Sequence, residues 1–313
     1  MTTIPDDYAI KFNNILTFLT RLTGDRITPI VEKQLLEMLP NAIPFFSHLV
    51  LRDNFPTIER LTINKKVLGS NSRIKEIKFL KNPPADKVKA YGRCNMKMQS
   101  VLYGSFNMLT VLSELKPRIG DLISMTTWKA KEGSKLTYCP IFKNQPKREK
   151  VMNLNLRDIE IAYNKKLLEH SPTVGQVIDN LVTFVCNSFT KYVKPDCDSD
   201  YLISAYFSNK ILYEFENGTI DAIYYPSVQQ DLSFENIAIK PATFDRDYFL
   251  AEVKELVVLN DPTTGSRGTA MQGIGQCDKF DLASDKILWD KGREMIPTDL
   301  LNKYVRQFDL RLD

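Results

Sequence analysis

The stretch GRCNMKMQSVLYGSFNMLTVLSELKPRIGDLISMTTWK, residues 92–129, decides the fold, because the spacing of its apolar residues changes twice. Residues 100–103 are short, apolar and β-prone, which predicts a strand. Residues 105–116 place methionine and leucine side chains at helical spacing, and Ser105 is the expected cap of that helix. Residues 121–129 then return to a strand pattern. Strand, helix and strand follow one another here, which indicates a mixed α and β fold.

The same mixture continues on both sides of this stretch. Apolar periodicity predicts helices at about 10–22, 28–51, 157–170, 173–193 and 198–215, and strands at 136–142, 220–225 and 236–240. The first 80 residues read as helical, and the tail beyond residue 245 reads as short apolar runs mixed with loops. We therefore predict an α+β fold with three regions. These are a helical N-terminal region (1–82), a core (83–245) and a C-terminal extension packed on the core (246–313).

Composition places the chain among ordinary folded proteins. Of its 313 residues, 43% are hydrophobic and 26% are charged, and the net charge of +4 comes from 42 basic and 38 acidic residues. A balance this close to neutral argues against a protein that coats nucleic acid, and the basic stretch 143–150 reads as a solvated loop. The N-terminus lacks the basic-then-apolar order of a signal peptide, and no apolar run approaches the ~18 residues of a membrane helix. We expect a cytoplasmic protein without a membrane span.

Cysteine and histidine usage predicts neither a metal site nor a disulfide framework. The five cysteines include no close pair of the CxxC type, and the two histidines have no metal-ligand spacing to a cysteine. Cys94 stands beside Arg93, but a packing role is the simpler interpretation. The glycines of GSRGTAMQGIG, residues 265–275, lack the ending of a phosphate-binding loop and are expected in a surface loop.

Two windows contain the candidate functional residues. The first, residues 92–115, holds Arg93, Asn95, Tyr103 and Glu114, and the second, residues 221–241, holds Tyr225, Ser227 and Asn236. Taken singly, each residue has an ordinary explanation. Glu114 would be a solvent-facing side chain of an amphipathic helix, Arg93 a surface arginine and Tyr103 a core or rim residue. Pro226 with Ser227 would form a turn, and Asn236 would be a turn or cap residue.

Together, and in this order, the residues resemble those of the RES family, which is named for its arginine, glutamate and serine. The resemblance rests on Arg93-Cys94-Asn95, Leu102-Tyr103, Glu114, Tyr225-Pro226-Ser227 and Asn236. It covers about residues 85–245. The segment between Glu114 and Ser227 is longer than in small members of the family, and the N-terminal region is an addition.

The resemblance implies an ADP-ribosyltransferase-like mixed sheet core with flanking helices, and a pocket that binds NAD as substrate. Glu114 would stabilise the oxocarbenium-like ribose, since nicotinamide leaves as a neutral group. Arg93 would hold the pyrophosphate and Tyr103 would stack on nicotinamide. Ser227 would donate a hydrogen bond to a phosphate or ribose. Asn95, Tyr225 and Asn236 complete the set of expected NAD-binding residues.

Three functions remain open at this point. The first is an NAD glycohydrolase or phosphorylase, and the second is a protein ADP-ribosyltransferase that uses the same pocket. The third is a module that binds a nucleotide or a partner without turnover. By analogy with the family, the protein would be a bacterial toxin or defence effector with an antitoxin-type protein partner. The N-terminal region could contact the core, that partner or a second copy of the chain.

Overall fold

The computed structural model describes residues 6–24, 26–143, 156–194, 196–230, 234–260 and 271–312. The chain forms two compact units. Unit 1 comprises Met1–Asp53, Pro84–Val101 and Lys135–Lys240, and unit 2 comprises Asn54–Pro83, Leu102–Ser134 and Pro241–Asp313. Both units combine strands with helices, so the mixed α+β class is confirmed. Two of the breaks between units, at 83/84 and 240/241, fall near the predicted region boundaries. The predicted regions were continuous in the sequence, whereas each unit consists of three separate stretches of chain.

The described helices and strands follow one another along the whole chain. The helices are α1 (Asp6–Leu22), α2 (Pro29–Ala42), α3 (Asn64–Leu68), α4 (Met108–Leu115), α5 (Leu156–Leu167), α6 (Pro172–Thr190), α7 (Leu202–Asn209), α8 (Pro241–Asp247) and α9 (Thr298–Phe308). The strands are β1 (Leu51–Asp53), β2 (Thr57–Ile63), β3 (Leu102–Ser105), β4 (Leu122–Ala130), β5 (Leu136–Pro140), β6 (Ala222–Pro226), β7 (Glu235–Ile239), β8 (Tyr248–Val258), β9 (Met271–Cys277), β10 (Phe280–Asp281), β11 (Lys286–Ile287) and β12 (Arg293–Glu294).

Unit 1 contains a mixed sheet in the order β1-β5-β6-β7. Strands β5 and β6 are parallel, and the two outer pairs are antiparallel. The long helix α6 begins with Pro172 at a first-turn position, where the missing N–H removes no helical hydrogen bond. Its residues Val177, Leu181 and Val185 are fully buried at spacings of four, so one continuous face of the helix belongs to the core.

Unit 2 contains an antiparallel sheet in the order β3-β2-β4-β8-β9-β12. The helix α4 packs on one face of this sheet, where Val111 and Leu112 form a core cluster with residues of three strands, namely Leu61, Ile63, Ile123, Met125 and Val258. Another cluster, which includes Leu122, Val257 and Leu301, packs α9 against the same unit. The sheet therefore has buried side chains on both faces.

The prediction that the first 80 residues are helical is wrong for most of the chain after Ala42. Helices occur at α1 and α2, but β1 and β2 follow, and residues 43–80, all of them described, add only the short helix α3 and a 3-10 turn, Ile77–Leu80. The segment Thr57–Ile63 pairs along its whole length with β4, from Thr57 opposite Lys129 to Ile63 opposite Ile123. Its β-branched residues suit a strand, and this pairing with residues 60 or more positions away decides between strand and helix.

Two further details of the sequence prediction are corrected. Asn107, not Ser105, caps α4, because its side chain accepts a hydrogen bond from the Thr110 N–H at 2.9 Å while Ser105 ends β3. The predicted tail of short runs and loops contains the 11-residue strand β8. This strand pairs with β4 on one side and with β9 on the other.

The helix expected at 28–51 ends at Ala42, soon after Pro40, and the helix expected at 198–215 is divided. The remaining predicted helices and strands occur near their expected positions. A 3-10 turn, Asp198–Tyr201, precedes α7, and a π-helical turn, Lys210–Glu214, follows it. The surface loop predicted at 265–275 is wrong for residues 271–275, which belong to the strand β9 and pair with β8. Residues 265–270 of that loop, and residues 144–150 of the loop predicted at 143–150, lie outside the described residues. In the described ranges, no helix combines the length and apolar character needed to cross a bilayer.

His48 is buried in unit 1 and couples the stability of this unit to pH. Its Nδ1 lies 3.2 Å from the carbonyl of Leu49, and its Nε2 has no hydrogen-bond partner among the described residues. Burial lowers the pKa of His48 from 6.5 to about 4. The Leu49 carbonyl opposes this shift, and the positive charges of Lys166 and Lys143 add to it. The imidazole is therefore neutral in the folded chain at pH 7.

Lowering the pH from 7 to 5 is expected to reduce the free energy of unfolding by about 2 kcal/mol through His48 alone. The sign follows because the depressed folded-state pKa makes the unfolded chain bind the proton more readily below pH 6.5. Urea unfolding of wild type and His48→Phe at both pH values measures this effect, since carboxylates common to both proteins cancel in the comparison. The exposed His170 provides the control, His170→Gln. Equal pH dependence in wild type and His48→Phe would contradict the prediction.

Candidate functional site

The segment Arg93-Cys94-Asn95 forms a tight turn in unit 1. The N–H of Gly92 donates to the carbonyl of Asn95 at 3.1 Å, and the reverse hydrogen bond measures 3.4 Å. The Asn95 side-chain amide donates to the carbonyls of Ala90 and Met96, at 3.3 and 2.9 Å. Asn95 therefore holds the backbone of the turn and fixes the position from which the Arg93 side chain extends.

Arg93 is buried against the C-terminal end of α6. Its Nη1 donates to the carbonyls of Phe189 and Lys191, the latter at 3.1 Å, and its Cζ lies 5.0 Å from the ring centroid of Tyr201. These carbonyls belong to the end of a helix, where acceptors lack helical partners and favour positive charge. Nε and Nη2 donate to no other described residue, and no described carboxylate forms an ion pair with this guanidinium. A cation that is only 9% exposed and lacks a carboxylate is suited to an anionic ligand.

Tyr225, Ser227 and Asn236 lie together where β6 ends and β7 begins. Tyr225 stands directly opposite Asn236 in the antiparallel register, so the two side chains share one face of the sheet. The Ser227 N–H donates to the carbonyl of Phe234 at 2.7 Å, which closes the connection between the strands. All three residues are buried, and Ser227 is fully so.

The start of the first window, Arg93 to Asn95, meets the second window at Cys94 and beside Phe189. The hydroxyls of Tyr225 and Ser208 are within hydrogen-bonding range of the Cys94 thiol. The ring of Phe189, whose carbonyl accepts from Arg93, lies 6.3 Å from the ring of Tyr225. Burial raises the pKa of Cys94 to about 12, and so the thiol is neutral and unsuited to nucleophilic attack. Cys94 is therefore a packing residue between the windows.

Glu235 is a buried carboxylate that the sequence analysis did not single out. It precedes Asn236 on β7 and is only 4% exposed. Burial raises its pKa to about 7, and the nearby Tyr224 hydroxyl opposes that shift. The available signal was a glutamate in the otherwise apolar strand ENIAI, where a charged residue needs an explanation.

Tyr103 lies on β3 of unit 2, and a half-buried arginine holds its backbone. The Tyr103 carbonyl accepts a hydrogen bond from Nη1 of Arg60 at 2.7 Å. Nε and Nη2 of Arg60 donate to the carbonyls of Leu80 and Lys81, at 3.0 and 3.2 Å. Burial lowers the pKa of Arg60 to about 10, which leaves it charged near neutral pH. The arginine thus joins β3 to the segment that follows β2.

Glu114 lies near the C-terminal end of α4, on the exposed side of this helix. Val111 and Leu112 point into the core, while Glu114 is accessible to solvent. The helix ends at Lys116, which adopts a left-handed conformation with φ of 44°. Unit 2 therefore contains Tyr103 and Glu114 on two consecutive elements, and unit 1 brings together Arg93, Asn95, Tyr225, Ser227 and Asn236.

A cavity of about 210 Å³ opens in unit 1 close to Arg93. Its lining includes Lys191, whose carbonyl accepts from Arg93, and Asp200, which precedes Tyr201. Lys191 Nζ donates to the carbonyl of Thr23 at 2.6 Å, and the Asp200 carboxylate accepts from the Ile27 N–H at 2.7 Å. Sites for drug-sized ligands span about 300–1,000 Å³, so this cavity has room for one ring or one phosphate-sized group.

Among the described residues, no group of three or more histidine, cysteine, aspartate or glutamate side chains could hold a metal ion. No protein-family model matches the chain, and no curated protein matches it at a significant level.

Proposed function

We propose that this protein consumes NAD by cleaving the bond between nicotinamide and ribose, with water or phosphate as acceptor. In this proposal, the mixed α+β core is of the ADP-ribosyltransferase-like type. The protein acts in the cytoplasm as a toxin or defence effector, restrained by an antitoxin-type partner. The proposal rests on the RES-like order of residues together with one structural observation.

That observation is that the start of the first window, Arg93 to Asn95, meets the second window beside a buried arginine. Arg93 lacks a carboxylate partner among the described residues. Cys94 and Phe189 separate it from Tyr225, which stands opposite Asn236. A pyrophosphate would compensate the buried positive charge, and the planar guanidinium matches two phosphate oxygens at once.

The other predicted residues are assigned roles by their chemistry. Ser227 and Asn236 supply hydrogen bonds to phosphate or ribose beside Tyr225. Tyr103 stacks on the cationic nicotinamide ring, which favours an aromatic face. Glu114 stabilises the positive charge that develops on the ribose as nicotinamide leaves. Because nicotinamide leaves as a neutral molecule, the reaction needs no strong general acid.

Incubation of the purified full-length chain with NAD, with and without phosphate, tests the proposal by the release of nicotinamide. Release with free ADP-ribose or its phosphate ester as product supports it. Transfer of labelled ADP-ribose to a protein would replace it by the second candidate, a protein ADP-ribosyltransferase. Absence of release under both conditions would leave a non-catalytic binding module.

Arg93→Ala is expected to raise the KM for NAD about tenfold or more, since a hydrogen bond to a charged group contributes about 1.5–3 kcal/mol. Arg93→Lys should recover only part of the affinity, because an ammonium group cannot bind two phosphate oxygens as a fork. Steady-state kinetics with far-UV circular dichroism measures both effects. The exposed Arg118 serves as the matched control, Arg118→Ala. A wild-type KM in a folded Arg93→Ala variant would remove Arg93 from the pyrophosphate site.

A further inference from the structure

A row of polar side chains crosses the sheet of unit 2, and hydrogen bonds join its members in two groups, one on each side of the contact between β4 and β8. It consists of Glu59 on β2, Thr127 on β4, Glu252 on β8, Gln276 on β9 and Arg293 on β12. Thr127 stands opposite both Glu59 and Glu252, and its hydroxyl lies 3.1 and 3.0 Å from the two carboxylate oxygens of Glu59. Gln276 donates to Glu252 and accepts from Arg293 at 2.6 Å. Opposed residues share a face, so the row occupies one face of the sheet.

This face is also the one on which the predicted residues of unit 2 are placed. Ser105 stands opposite Glu59, and Tyr103 precedes Ser105 by two positions on β3, so all three residues belong to the same face. The helix that carries Glu114 packs on Leu61 and Met125, the next residues along β2 and β4 on that face. The polar row therefore borders both Tyr103 and α4.

The two carboxylates of the row differ in their partners. Glu252 forms an ion pair with Lys254 at 2.8 Å and accepts from Gln276. Glu59 accepts from the Thr127 hydroxyl and forms no ion pair with any described cation. Burial raises the pKa of Glu59, and the negative charge of Glu252 raises it further. The Thr127 hydroxyl and the positive charge of Lys254 lower it, which opposes this shift. Lys129, two residues beyond Thr127, is the one charged residue of β4 and lies on this face.

We propose that Glu59 is a further catalytic residue, the general base that deprotonates the acceptor. This inference rests on the proposed NAD-cleaving function. With water as acceptor, a lone pair of the water oxygen forms the bond to C1′ of the ribose. The C1′–N bond breaks, and its electron pair stays with nicotinamide. The water proton passes to the Glu59 carboxylate and then to solvent. Glu114 stabilises the positive charge on the ribose, and Glu59 accepts the proton of the water. Two carboxylates can take these different roles because their environments differ.

Glu59→Gln in the full-length chain is expected to lower kcat about 100-fold, with a KM for NAD within about threefold of wild type. Sodium azide should restore nicotinamide release and yield ADP-ribosyl azide, because azide attacks without losing a proton. Glu252→Gln is the matched control from the same row. It should keep the plateau kcat and move the acidic limb of the pH–rate profile to lower pH, since it removes the negative charge beside Glu59.

The wild-type pH–rate profile provides a second measurement that needs no folded Glu59 variant. The base must be ionised, so kcat should fall as the pH drops through a value above the ordinary pKa range of glutamate. A flat acidic limb, an unchanged kcat in Glu59→Gln, or a loss that azide does not restore would each overturn the role of Glu59 while leaving NAD cleavage intact. Absence of nicotinamide release by wild type would overturn both proposals.

Discussion

Glu114→Ala is expected to slow nicotinamide release about 100-fold, which corresponds to about 2.7 kcal/mol of lost transition-state stabilisation. The carboxylate acts on positive charge that develops only as the glycosidic bond breaks, so kcat should fall more than KM changes. The variant should fold, because Glu114 lies on the exposed side of α4 while Val111 and Leu112 form its core contacts. Nicotinamide release under NAD saturation measures the effect.

The control for this prediction is another glutamate on the exposed side of a helix. Glu160 lies on α5 and is accessible to solvent, so Glu160→Ala should keep wild-type activity. Glu114→Gln, which keeps the size of the side chain and removes its charge, should resemble Glu114→Ala. Near-normal rates in both Glu114 variants would exclude this residue from the mechanism and leave it as a solvated helix residue.

Trp128→Ala is expected to lower the free energy of unfolding by about 3–5 kcal/mol, the range for truncating a large buried aromatic side chain. Trp128 is 2% exposed, and its ring lies 4.8 Å from that of Phe244 in an edge-on arrangement. Its Nε1 donates to the Thr126 hydroxyl at 2.9 Å. Truncation would leave a cavity in unit 2 and remove this hydrogen bond. Urea denaturation followed by far-UV circular dichroism measures the loss.

Two variants test whether the loss of stability comes from the buried ring of Trp128 or from any substitution in this part of the sheet. Trp128→Phe keeps a ring against Phe244 and loses the indole N–H, so it should cost about 1–2 kcal/mol. Phe249 on β8 stands opposite Lys129, the residue after Trp128, and is 42% exposed. Phe249→Ala should therefore lower the free energy of unfolding by less than ~1 kcal/mol. A loss below ~1 kcal/mol for Trp128→Ala would show that the sheet closes over the missing ring.

The long helices could be predicted because their signal is local. The apolar stripe predicted at 173–193 corresponds to α6, Pro172–Thr190, and the stripe at 157–170 corresponds to α5. The strand β2 was missed, because the segment Thr57–Ile63 contains apolar residues that suit either a helix or a strand. Its identity depends on pairing with β4, which a periodicity argument cannot detect. The same reason explains why β8 was read as short runs and loops.

The candidate site shows the same division between local and distant signals. The order of arginine, tyrosine, glutamate and serine could be read directly, and so could their chemical suitability for a dinucleotide. The partners of Arg93 could not, because the carbonyls of Phe189 and Lys191 are about 100 positions away in the chain. Glu59 and Glu235 were missed, because burial, which raises the pKa of each, is not a property of the residue itself.

By itself, the sequence determined the mixed α and β class, the positions of the long amphipathic helices and the identity of the seven candidate residues. These follow from side-chain periodicity and residue chemistry, which act over a few positions. Only the tertiary structure decided which strands pair, that Tyr225 stands opposite Asn236, and that Glu59 shares a face with Tyr103. Strand register and desolvation depend on residues far apart in the chain, and their free energies arise only once the chain has folded.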